Sequence, residues 1–172
     1  MGRKNMQSDP KIEQGPISVD TIYDMVGAAM NIPSVAMGQP TQFVVLNEIE
    51  ALSRASEVVP LPPFTMQALA AIIVCGDINR AQVKDKWMFD CEAASQQLML
   101  AAHANGLAAY ISSIYPDRDR MDGMTVLLDL PENVIAHSYV AMGYPARVPS
   151  ARDAFSNERV HYNSWVRKKS TF

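Results

Sequence analysis

The side chains able to do chemistry are few and scattered. The two cysteines, Cys75 and Cys91, are too few for a disulfide framework or a four-cysteine zinc site. Cys91 follows Asp90 within an expected helix, away from the terminal dipole that lowers a thiol pKa. It reads as a packed core cysteine, and so does Cys75, which closes an apolar run. His103, His137 and His161 lack the paired spacing of metal ligands, and structural roles are expected for His103 and His137. Asp90 and Glu92 are two apart on one helix, so they share no face and make no catalytic carboxylate pair. Ser112 and Ser113 have no base near them in sequence. The glycine-rich nucleotide loops and the G-x-S-x-G elbow are absent. By themselves these residues name no reaction.

The elements that must position them are more legible. With 172 residues, 48% of them hydrophobic, the chain fits one domain with a real core. A net charge of −3 argues against a dedicated nucleic-acid binder. Residues 1–17 form a polar, irregular arm that does not read as a signal peptide. The apolar region 58–75 is broken by Pro60, Pro62 and Pro63, so no membrane span is expected. The expectation is a soluble, cytoplasmic protein.

Ser18 is placed to cap a helix carrying Ile22, Met25, Val26 and Ala29, which ends near Asn31 ahead of Pro33. A loop over 33–40 and a strand over 42–46 follow. Asn47 and Glu50 suggest a capping box opening a helix to Ala55. The apolar run 69–75 reads as a strand buried on both faces. The longest helix spans 85–105, is rich in alanine, and has Gly106 as its C′ residue. A strand over 107–114, a helix capped by Asp117 through Leu128, and a strand over 137–142 complete the pattern. Residues 146–172 form a polar tail without a core of its own. Alternating elements predict an α/β sandwich.

Several stretches together resemble the nitroreductase-like family of FMN-dependent oxidoreductases. The segment 87–107 is similar to the family's long central helix, with its D-x-x-A-A-x-Q-x-L-x-L-A-A pattern and G-L end. Pro33-Ser34 and Gln39-Pro40 resemble its P-S-x-x-N-x-Q-P loop, and 71–77 its preceding strand. Segments 128–134, 140–146 and 158–165 resemble its L-x-L-P, G-Y-P and tail regions, the last as in a short subgroup. The resemblance implies an α+β fold with a mixed central sheet flanked by helices. It also implies an intertwined homodimer whose C-terminal tail exchanges onto the partner, with FMN at the interface touched by both chains. The activity implied is ping-pong hydride transfer from NADH or NADPH through flavin N5 to an electron-poor small molecule, such as a nitroaromatic or quinone. No side chain is implied as a catalytic acid or base.

The implied cofactor contacts carry over residue by residue. Arg3, Lys4, Asn5 and Gln7 match the R-R-S-x-R opening. There Asn5 replaces the serine, and Gln7 replaces a cation and would make the flavin harder to reduce. Pro33 and Ser34 match the loop near the flavin ring, as does Gln39. Met37 stands in place of the family's asparagine, and Thr41 where tryptophan is common. Ser112 and Ser113 match the segment that aims a backbone N–H at flavin N5, and Arg152 matches a phosphate-binding arginine. The departures at Asn5, Gln7 and Met37 keep a second reading open: a degenerate member binding flavin weakly or not at all, serving as a dimeric binding or structural protein.

Overall fold

The computed structural model describes residues 15–145 and 155–165. Helix α1 (Val19–Met30) starts where Ser18 Oγ accepts the Thr21 N–H at 3.1 Å, and it buries Ile22, Met25 and Ala29. Strand β1 (Thr41–Leu46) leads to α2 (Ile49–Val58). The expected capping box does not form. The N-cap is Glu48, with no side-chain cap bond, so Glu50 falls a position too early to reach back. A 3₁₀ turn (Pro63–Gln67) precedes β2 (Ala70–Asp77), and another (Lys84–Lys86) precedes α3 (Trp87–Ala104). Gly106, at φ +74°, closes α3 and donates its N–H to the His103 carbonyl. Strand β3 (Ala108–Ser113) follows. Next comes α4 (Arg118–Leu128), capped by the Asp117 carboxylate on the Arg120 N–H, and then β4 (Val134–Gly143).

The strands form one sheet in the order β1-β2-β4-β3. All three pairings are antiparallel, whereas a mixed sheet was implied; among the described residues no strand runs parallel to its neighbour. One face carries α1 and α3. Ile22, Met25, Ala94 and Leu98 pack there on Ile72, Val74, Val140 and Met142. The other face carries α2 and α4, with Ala55 and Met124 on Ala71, Ile73, Tyr139 and Ala141. Odd and even residues of β2 therefore enter two different cores, which is why its sequence is apolar without alternation.

Register decides what meets at each end of the sheet. Thr41 pairs with Gly76, Gly76 with Ile135, and Ser113 with Ser138, so the start of β1 and the end of β3 lie at one end. At the other, Ala108 pairs with Gly143 and Ala70 with Met142. A bulge at Val74/Cys75 leaves His137 without a β2 partner.

Candidate functional site

The loop between α1 and β1 is held by a buried acid. Asp90, in the first turn of α3 and 3% exposed, accepts the Ser34 hydroxyl at 2.9 Å on one carboxylate oxygen. Its other oxygen accepts the Val35 N–H, also at 2.9 Å. Ser34 Oγ in turn accepts the Gln39 N–H at 2.8 Å. These bonds close a loop in which Ala36, Met37 and Gln39 all have positive φ (52°, 59° and 47°). Side chains of L-residues disfavour that region, so the loop stores strain that the Asp90 contacts must offset. Gly38 is not the left-handed residue; its φ is −71°. It is glycine because a Cβ there would lie 2.7 Å from the Arg80 carbonyl oxygen. Met37 is 90% exposed.

Beside this loop, the sheet end is closed by three rings. Trp87 meets Tyr115 edge-on with centroids 5.1 Å apart, and the His137 ring edge-on at 5.9 Å; Tyr115 stacks on His137 at 6.0 Å. A Cβ on Gly76 would drive into the Trp87 ring, so glycine there lets the indole lie on the strand. The bulge turns His137 into this cluster, where its Nδ1 is buried without a hydrogen-bond partner. Burial lowers the His137 pKa below its ordinary value, against a smaller upward pull from Glu92. Farther along α3, Ser95 Oγ donates to the Cys91 carbonyl at 2.7 Å. Its only hydrogen is then used, so in the 2.6 Å contact with Ser138 the Ser138 hydroxyl donates.

The edge strand β3 borders a groove of about 300 Å³. Thr65, Gln67, Ala108, Tyr110, Met142 and Tyr144 line it, at the end of the sheet away from the loop. At the other end of β3 lie Ser112 and Ser113; the Ser113 carbonyl accepts from Arg120 at 2.8 Å. The loop at β1 and the serines at β3 share one sheet end, but two strands stand between them. At the usual strand spacing they are about 14 Å apart.

Of the residues read as flavin contacts, Pro33, Ser34, Met37 and Gln39 lie together in one loop, and Ser112 and Ser113 lie together at the opposite edge. Arg3, Lys4, Asn5, Gln7 and Arg152 fall outside the described residues. Both cysteines are buried, and burial pushes the Cys75 thiol up to about 12 and the Cys91 thiol up as well, so neither is poised as a nucleophile. Among the described residues, no three His, Cys, Asp or Glu side chains gather as a metal site, and no helix is long and apolar enough to cross a membrane. Asp90 is what sequence reasoning missed. Dismissing it as half of a carboxylate pair overlooked that an acid among Trp87, Cys91 and Ala94 on a buried helix face needs a donor partner.

Known proteins supply the context. No protein-family model matches the chain. A protein of Methanothermobacter thermautotrophicus named "Putative NADH dehydrogenase/NAD(P)H nitroreductase" is 36% identical over 162 residues, which cover 94% of this chain and 85% of that protein. A crystal structure bearing the same name, from Parabacteroides distasonis, shares 30% identity with a TM-score of 0.81, over 88% of this chain and 89% of the other. The Bacillus subtilis protein named "FMN reductase [NAD(P)H]" is 22% identical, over 86% of this chain and 66% of its own. The chain belongs to the nitroreductase-like family of oxidoreductases.

Proposed function

We propose that the protein is an FMN-dependent NAD(P)H oxidoreductase of nitroreductase type, acting by ping-pong on electron-poor small molecules such as nitroaromatics or quinones. The observation that carries this reading is the groove at the start of edge strand β3, the strand whose other end carries Ser112 and Ser113. From Ala108 to Ser113 the strand runs about 17 Å, enough to back an extended flavin mononucleotide. Thr65, Gln67, Tyr110 and Tyr144 bring polar groups to the groove's lining, which suits the hydroxylated chain of the cofactor.

FMN, when bound, supplies the hydride chemistry between nicotinamide donor and acceptor. The chain supplies position. The end of β3 offers backbone groups to the ring, and the groove at the start of β3 takes the polar chain. The segment after Pro145, with Arg152, is suited to the phosphate, because guanidinium matches its geometry. The Pro33-Ser34 loop stands across the sheet from its own β3, so it serves a flavin on the β3 edge of a second copy. A homodimer follows from that division. An apolar face supports it: Phe89 and Leu100 on α3, with Tyr23 and Met30 on α1, are exposed.

Met37 favours a second reading, weak or absent flavin binding in a dimeric binding protein. Its exposed thioether offers no strong hydrogen bond where the family has an amide. One experiment separates the two. The purified protein is expected to be yellow, or to become so with added FMN, and to bleach anaerobically with NADH or NADPH. A protein that is colourless once unbound FMN has been removed by desalting sinks the enzyme reading; a yellow protein that neither nicotinamide bleaches sinks the reductase step.

A further inference from the structure

Ser34 has one hydrogen and two lone pairs to place. Its hydrogen goes to the Asp90 carboxylate, and the Gln39 N–H takes one lone pair. One lone pair remains. The hydroxyl is half-buried, so that lone pair is what it has left to offer outside the loop. Asp90 is the acceptor in this contact, and its second oxygen accepts from the Val35 N–H. The acid and not the serine therefore fixes which way the hydroxyl points.

We propose that Asp90 is a positioning residue that sets the hydrogen-bond polarity of Ser34, making it an acceptor toward whatever binds over the loop. This rests on the flavin reading above, and it names the complementary group: a donor on FMN, either the ring N3–H or a ribityl hydroxyl. Flavin carbonyl oxygens and N5 of the oxidised ring are acceptors, and a lone pair facing them repels.

Asp90→Asn tests the polarity. The carboxamide oxygen still accepts from Val35, but its NH2 now donates to Ser34 Oγ. With Gln39 donating as well, the serine hydrogen is expelled toward the ligand. Affinity for FMN, read by fluorescence quenching, is expected to fall about tenfold in D90N and several-fold in S34A. In D90N/S34A, however, removing the serine is expected to tighten binding relative to D90N, because it removes the misdirected hydrogen. This reversal of sign is not expected of a merely structural acid. Equal weakening by S34A in both backgrounds, or D90N binding as the parent does, overturns the proposal. S34T, which keeps the hydroxyl, is expected to restore binding.

FMN methylated at N3 and lumiflavin, which lacks the ribityl chain, locate the donor in the parent protein. Discrimination against one of them that vanishes in S34A supports the proposal even if D90N fails to fold; discrimination against neither overturns it. Amide exchange in ligand-free protein gives a separate readout. S34A is expected to speed exchange at Gln39 at least about tenfold while Val35 and the β2 and β4 amides stay protected. If the parent binds no FMN, the flavin reading and the flavin-facing polarity both fall. The exchange pattern then still decides whether Ser34 holds Gln39 as described.

Discussion

Met37 sits at φ 59° with its side chain almost wholly in water. Asparagine tolerates that backbone far better than methionine, because its short amide bonds locally. The family's asparagine at this position thus has a conformational reason beside any flavin contact. Met37→Asn is expected to raise stability by up to about 1 kcal/mol in chemical denaturation, and to tighten FMN binding. His137 makes a prediction about pH. Burial lowers its folded pKa, whereas the unfolded chain titrates near the ordinary histidine value of about 6.5. Below that pH the unfolded state takes up a proton that the folded state resists, so stability falls as pH falls through it and levels off below the folded pKa. His137→Phe is expected to flatten this part of the profile, read from urea midpoints between about pH 8 and about pH 5.

At the scale of elements, caps and turns show where local signals hold. Ser18, Asp117 and Gly106 act as their residue types predict, because each needs only its own backbone to satisfy a helix end. Gly106→Ala is expected to cost about 1 kcal/mol, measured by thermal or denaturant unfolding. No atom lies within 4 Å of the added Cβ, so the cost is conformational rather than steric. The capping box at Asn47 fails because α2 begins at Ile49, where Ala55 can meet the second core, rather than where a local match would start it. The bulge at His137 left no mark on the sequence reading: an apolar-rich strand looks the same with or without an extra residue.

At the scale of the molecule, apolar surface is left over. Phe89 is 61% exposed and Leu100 55%, on the outward side of the helix whose inward side fills the core. A helix apolar around its girth usually lies between two packing partners, and the described residues supply one of them. If a second copy supplies the other, Phe89→Glu with Leu100→Glu is expected to convert a dimer to a folded monomer in light scattering, with loss of bound FMN. An unchanged mass would move the interface elsewhere.

The sequence by itself determined the family, the element order and the double burial of β2, since periodicity, caps and motif order are properties of contiguous residues. It also grouped Pro33, Ser34, Met37 and Gln39 into one loop. Only the tertiary structure decided that Asp90 holds that loop, that Gly38 and Gly76 are glycines for want of space, and that two strands separate the loop from the serines of its own β3. Those facts join residues far apart in the chain, through strand register and helix packing, and nothing local encodes such distances.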